Sequence, residues 1–508
     1  MTSGKAGIDG SQDYATRHDT CSFNHLGKTG LRVSAVGFGC YRVDRTVDAH
    51  YQALSKALSK GVNLIDTSTN YADGGSELLV GAVIRDLAGA GGISRDSVVV
   101  VSKAGYLQGK NYDLSQERKS RGKPFPDVVS VMPNLEHCIH PEFLEDQLTR
   151  SLERLDLQTL DVFLLHNPEY FLTRAMEAGE SLLDARNEYY RRIELAFNHL
   201  ESEVERGRIQ YYGISSNTFP HSGDHPECTC LETVWNIAQT LGEDNHFQVV
   251  EMPLNLLEPN AVLGRNQPNG QSVLEFARDK QLGVLINRPL NAIVDHKLLR
   301  LADVEPTVSA GEVVVNARIR DLIASEDLLK QELFPNLNLK SSLQKQLEDA
   351  VSVGYNLKRH WKQYGSYLRW LDVQTQFLIP KVQGVVQFLA QQDLSDEMIR
   401  RVEAHVRSVQ ESFFAVTSVY QAEASKQAGF AKKWVAAADR DWGSPKTLSQ
   451  MAIRAIRSTP GITTVLVGMR QDSYVEDALE ECRRPVDQES DRAGSWRKLT
   501  ETIPDFWR

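Results

Sequence analysis

Residues 98–103 read Val-Val-Val-Val-Ser-Lys, and residues 160–166 read Leu-Asp-Val-Phe-Leu-Leu-His. Each is a nearly continuous apolar run that ends on a titratable side chain. A strand with one wet face alternates apolar and polar residues, so a continuous run implies burial on both faces, as in a parallel sheet covered by helices. The pattern recurs at Ala35–Gly39, Val62–Asp66, Ile209–Ser215, Phe247–Met252 and Gly283–Asn287, each followed by a stretch of helical period. An eighth segment, Thr463–Val467, comes only after a long interruption. Strand–helix alternation implies βαβ crossovers, and eight such units predict a (β/α)8 TIM barrel of the α/β class rather than an open sheet.

The segments between strands agree with this. From His140 to Leu155, apolar residues at 144, 148, 152 and 155 give an amphipathic helix. Gly61, Gly207 and Gly283 stand just before strands, where a glycine is expected to end the preceding helix. Between strands 7 and 8 the rhythm stops. Residues 297–446 are poor in glycine and carry long helical patterns, predicting a large, mostly helical insertion in which Pro380 kinks or breaks the third helix. This insertion also offers a surface for oligomerisation. Residues 104–140 form a shorter insertion after strand 3, at the barrel face where active sites are built. The expected organisation is therefore a disordered tail at 1–21, a barrel at 22–296 and 447–482, the helical insertion at 297–446, and a C-terminal tail at 483–508.

Composition narrows the function. The 508 residues are 41% hydrophobic and 24% charged, an ordinary globular profile. Lys+Arg 57 against Asp+Glu 67 leaves a net charge of −10, which argues against a general nucleic-acid binder. Six scattered cysteines make no disulfide framework, so a reducing compartment is expected. The first twenty residues hold no apolar signal-like run, and no stretch is long and apolar enough to span a bilayer. A cytoplasmic protein without membrane or nucleic-acid partners is the expectation.

The strand ends carry the chemistry. Strand 2 ends in Asp66, with Tyr71 following in DTSTNYADG; strand 3 ends in Lys103 and strand 4 in His166. A lysine that ends a buried valine run needs a partner for its ammonium, and Asp66 on the neighbouring strand supplies one. A tyrosine beside that lysine is expected to have its pKa lowered and to serve as a proton donor near neutral pH.

These residues lie in motifs that resemble the aldo-keto reductase family: LGKTGLRVSAVGFG, NLIDTSTNYADGGSE, VVVVSKAGY, LDVFLLHNPE, GISSNTF and TTVLVGMRQDSYVEDAL, in order from Leu26 to about Leu479. The resemblance implies a catalytic set of Asp66, Tyr71, Lys103 and His166, in an enzyme that passes a hydride between a nicotinamide cofactor and a carbonyl or alcohol of a small molecule: an aldehyde, ketone or sugar. It implies NADP in preference to NAD, held without a glycine-rich dinucleotide turn, and no G-x-G-x-x-G follows a strand here. Cofactor contacts are expected from Gly39 and Cys40 after strand 1, Ser215 and Ser216 after strand 5, and Gly468, Met469 and Arg470 after strand 8. Arg470, just before a helix start, is the expected partner of a 2′-phosphate.

The chain departs from the family near strand 6, where Glu251 replaces the usual glutamine and Leu254 a stacking aromatic. Arg288 after strand 7 stands where a small or aromatic residue is common, and is expected to meet substrate or cofactor, or to pair with a carboxylate of the insertion. An alternative function is a regulatory or binding protein that holds cofactor with little turnover. The run HSGDHPECTC at 221–230 has zinc-binding residue types but no structural zinc spacing, so no metal is expected and a polar loop is the simpler reading.

Overall fold

A computed structural model describes residues 2–294, 297–337, 339–504 and 507. The chain divides into two compact units, Met1–Ala292 with Trp434–Ile503, and Ile293–Lys433 with Pro504–Arg508.

The first unit is a closed barrel of eight parallel strands in sequence order: β1 Val36–Gly39, β2 Leu64–Asp66, β3 Val99–Ala104, β4 Leu160–His166, β5 Ile209–Ser215, β6 Phe247–Pro253, β7 Gly283–Asn287 and β8 Thr464–Val467, which pairs back to β1. Leu64, Val99, Val101, Val162, Leu164, Val249, Leu285 and Leu466 fill the interior, and Leu26, Leu31 and Val33 join the same cluster from the N-terminal segment. That segment is a hairpin, Phe23–His25 against Arg32–Ser34. Gly283 proves to be the first residue of β7 rather than a helix end. A Cβ there would stand 2.6 Å from the Leu26 side chain, and Gln281 takes the left-handed position instead, at φ 56°. Gly61 and Gly207 do have positive φ, at 115° and 72°.

Register decides what reaches the barrel mouth. Gly39 pairs with Asp66, Asp66 with Val101, Lys103 with Leu164, His166 with Ser215, and Ser215 with Glu251. Side chains alternate along each strand, so this stagger brings the polar ends of neighbouring strands to one level.

Each expected tail contains a packed helix. Residues 1–21 contain the helix Ile8–Arg17, whose Gly10, Ser11, Tyr14 and Ala15 are buried. The Tyr14 hydroxyl donates to the carbonyls of Leu58 and Val62. A polar, glycine-rich composition concealed a stripe narrow enough to need only one aromatic anchor. Within 483–508 the helix Ala493–Glu501 buries Trp496, which donates from Nε1 to Thr459 Oγ1 at 2.9 Å and lies 5.0 Å from the Trp442 ring. For the same reason the insertion ends at 433 rather than 446. Trp434 donates from Nε1 to the Leu499 carbonyl at 3.0 Å, and Trp442 to Ser458 Oγ at 2.9 Å, so both belong with the barrel. The 43-residue helix Asp396–Ala438 hides this boundary, because its helical period is unbroken there.

The second unit is helical and holds two apolar clusters, one around Trp361, Trp370, Phe413 and Val416, the other around Leu333, Phe334, Leu347 and Leu389. Helix Tyr367–Val373 passes through a π-turn, Gln374–Leu378, into helix Ile379–Leu389, with Pro380 in its first turn. Proline lacks the amide hydrogen that a continuous α-helix would use, and the ladder widens to a π-turn just before Pro380 while the backbone stays helical, so the helix is not broken there. Residues 104–140 contain a helix, Lys110–Ser120, and a three-stranded antiparallel sheet of Tyr106–Leu107, Val129–Met132 and Leu135–His137.

Candidate active site

Lys103 is wholly buried, and its Nζ lies 2.5 Å from Asp66 Oδ1, 3.3 Å from Glu251 Oε2 and 3.2 Å from the Thr67 carbonyl oxygen, to which it donates. Burial pulls the ammonium pKa down, but the two carboxylates more than reverse this and keep it above the ordinary lysine value. Asp66 is driven the other way. Burial and the neighbouring charge of Glu251 hold its carboxyl well above the usual range, against the pull of Lys103.

Tyr71 begins a tight turn, Tyr71–Gly74, in which Ala72 and Asp73 both adopt positive φ, 48° and 55°. Strain at two non-glycine residues is a cost of order 1 kcal/mol each and marks a geometry the surroundings impose. The turn places the tyrosine ring 5.3 Å from Lys103 Nζ and edge-on to His166, with centroids 6.0 Å apart. Its pKa is not lowered as the sequence suggests. Burial raises it and outweighs the opposing charge of Lys103, which is already committed to Asp66 and Glu251. Tyr71 therefore holds its proton at neutral pH.

His166 ends β4 with Nδ1 3.1 Å from Ser68 Oγ. Burial and the charge on Lys103 hold its pKa well below the ordinary histidine value, so the ring is neutral. Tyr106 packs edge-on to it at 4.7 Å and accepts a hydrogen bond from Asn167 Nδ2 at 2.7 Å. His137 Nε2 lies 2.7 Å from the His166 carbonyl oxygen.

Of the remaining expected residues, Glu251 and Ser215 join this centre. Glu251 is 2% exposed, and its Oε1 accepts from Ser215 Oγ at 3.0 Å and from Asn287 Nδ2 at 2.9 Å. Gly39 ends β1 beside β8, and the Cys40 thiol is buried and raised in pKa, mainly by burial, which makes it unreactive. The Ser216 amide donates to the Glu251 carbonyl at 3.0 Å. Its hydroxyl lies 3.1 Å from Thr218 Oγ1 and donates to Thr229 Oγ1 at 3.2 Å, in a buried network beneath the loop after β5. Leu254 is fully buried. Arg288 forms a two-pronged pair with Glu258, at 3.0 and 3.2 Å, in the loop after β6 rather than with the insertion. After β8, Met469 is buried, a Cβ on Gly468 would meet nothing within 4 Å, and Arg470 is part exposed with no ion pair among the described residues. The helix Asp472–Cys482 starts immediately beyond.

In the 221–230 run, Cys228 Sγ donates to the His221 carbonyl and Cys230 Sγ to Gln267 Oε1. Among the described residues, no His, Cys, Asp or Glu group is arranged to hold a metal ion.

The sequence reading passed over four contributors. Asn287 ends β7, so the strand-end position that marks Asp66, Lys103 and His166 marks it too. Ser68 lies inside the quoted DTSTNYADG. Tyr106 and His137 come from the 104–140 insertion, where no periodicity points to them.

Residues 35–285 match the sequence profile of the Aldo/keto reductase family, and the barrel of this chain belongs to that family. The chain is 27% identical over 194 residues to the NAD(P)H-dependent D-xylose reductase of Scheffersomyces stipitis, covering 37% of this chain and 50% of that protein. It is 28% identical over 149 residues to the NADH-specific methylglyoxal reductase of Escherichia coli, covering 28% and 40%. An aldo/keto reductase of Klebsiella pneumoniae crystallised with NADP and acetate aligns at 20% identity and TM-score 0.32 over 52% of this chain and 67% of that one. The chain spans 40–62% of the length of these and similar curated relatives.

Proposed function

We propose that this chain is an NADP-dependent oxidoreductase that moves a hydride between nicotinamide and a carbonyl or alcohol of a small molecule, such as an aldehyde, ketone or sugar. The observation that carries this reading is the convergence of a protonated Tyr71, a neutral His166 and a charged Lys103 held by Asp66 at one barrel mouth. The relatives that use NADPH or NADH to reduce xylose or methylglyoxal agree with it.

The strand ends fit a nicotinamide nucleotide. Asn287 Oδ1 is a buried acceptor without a hydrogen-bond donor among the described residues, which suits an N–H of a carboxamide, and Glu251, ion-paired to Lys103 through Oε2, stands on β6 between it and Ser215 on β5. Arg470, unpaired just before a helix N-terminus, suits the 2′-phosphate that distinguishes NADP from NAD. Gly39 and Cys40 at the end of β1, and Gly468 and Met469 after β8, are assigned to the same nucleotide on their strand-end positions.

The bound nicotinamide supplies or accepts the hydride. His166, fixed through Nδ1 by Ser68, orients the substrate oxygen. Tyr71 gives its phenolic proton to that oxygen as negative charge develops on it. Lys103 stabilises the phenolate left behind, and Asp66 and Glu251 keep the ammonium charged and aimed. Tyr106 covers His166 and limits water there.

Among the described residues no helix is long and apolar enough to cross a membrane. A cytoplasmic location, and association of copies through the helical insertion, complete the proposal.

Titration with NADPH and NADH, followed by nicotinamide fluorescence, tests the reading. NADPH is expected to bind more tightly, and Arg470→Ala to weaken NADPH by about tenfold while leaving NADH unchanged, the value of one charge-assisted phosphate contact. Binding of neither nucleotide contradicts the proposal.

A further inference from the structure

We propose that Glu251 makes this site prefer the oxidised, cationic nicotinamide over the reduced, neutral one. The inference rests on the oxidoreductase reading above and adds a charge rule to it.

One ammonium faces two carboxylates here: Lys103 Nζ is 2.5 Å from Asp66 and 3.3 Å from Glu251. All three side chains are at least nine-tenths buried. The other groups around Glu251 add no compensating cation. Ser215 on β5 and Asn287 on β7 are uncharged donors to it. His166 on β4 is held neutral, Tyr71 after β2 keeps its proton, and the Cys40 thiol after β1 keeps its own. With both carboxylates ionised the centre carries a surplus negative charge, and burial together with Glu251 displaces the Asp66 pKa upward for the same reason. A positively charged ring over the same strand ends relieves it. A neutral ring does not. In a water-poor site a charge–charge attraction of this kind is worth a factor of ten or more.

Two consequences follow. By linkage, tighter binding of the oxidised form makes the bound reduced cofactor a stronger hydride donor. The cation also favours the ionised form of Asp66, so the preference for the oxidised form rises with pH, whereas phosphate titration affects both forms alike and cancels in the ratio.

The test is equilibrium titration of the full chain with NADP+ and with NADPH. Wild type is expected to favour NADP+ by about tenfold or more. Glu251→Asp keeps the charge and the preference, and Glu251→Gln lowers the ratio by about tenfold. An unchanged ratio in Glu251→Gln, with both nucleotides bound, overturns the inference while leaving the oxidoreductase reading intact. Failure of wild type to bind either nucleotide overturns both. Should Glu251→Gln not fold, the wild-type ratio measured across pH decides: a rise with pH supports the inference and a flat ratio overturns it.

Discussion

The two units of this chain bury different things. The barrel unit buries charges at its strand ends: Asp66, Lys103, His166, Glu251 and Glu169 are all less than one-tenth exposed. The helical unit buries Trp361, Trp370, Phe413 and their aliphatic neighbours, with Glu326 and His405 as its buried titratable groups among the described residues. Burying a charge is costly unless it is paired, so a cluster of such groups at one level of a barrel marks the candidate site for chemistry. A well-packed apolar cluster reports folding alone.

The sharpest way to break the contrast is to remove the central cation. Lys103→Met leaves Asp66 and Glu251 as buried, uncompensated carboxylates, and is expected to cost about 3–5 kcal/mol in denaturant unfolding at neutral pH. The loss should shrink in acid as the carboxylates take up protons. A pH-independent loss would mean that packing rather than charge is at stake.

In the helical unit, Trp370→Phe removes indole volume and the 2.8 Å bond from Nε1 to Thr417 Oγ1. The expected cost is about 2 kcal/mol with no dependence on pH between 5 and 8. A strong pH dependence would blur the distinction drawn here.

A smaller effect sharpens it. Glu326 accepts from the Gly354 amide and is pushed up to about 7 by burial. A carboxyl whose pKa rises on folding holds its proton more tightly in the folded state. Its stabilising contribution is therefore full below the usual Glu value of 4.5 and is lost as pH climbs through about 7. Glu326→Gln should remove that decline, leaving the variant more stable than wild type at pH 8 by on the order of 1–2 kcal/mol. Unfolding measured at pH 5 and pH 8 checks it. Glu169 in the barrel unit is likewise pushed up to about 7 by burial, and accepts from the Asn217 amide at 2.9 Å, so the same substitution there gives a matched control.

How much of this was legible in the sequence follows the same division. Continuous apolar strands ending in Asp66, Lys103 and His166 announce a parallel barrel, because only two-sided burial permits such runs. Tyr71 was found because it follows β2 closely. The tails were misjudged because an ordered segment anchored by a single Tyr14 or Trp496 has no period to read. The pKa of Tyr71 was misjudged because sequence places Lys103 beside it but does not show that two carboxylates already claim the ammonium. Asn287 was passed over for the more conspicuous charge of Arg288.

The central claim is that Tyr71, kept protonated at the barrel mouth, is the proton donor. Tyr71→Phe, assayed for NADPH oxidation with a panel of aldehydes and for nucleotide binding by fluorescence, tests it most directly. The account predicts a fall in turnover of about 10³-fold, the usual worth of a positioned general acid, with nucleotide affinity and thermal stability close to wild type. Turnover that survives the loss of this one hydroxyl contradicts it.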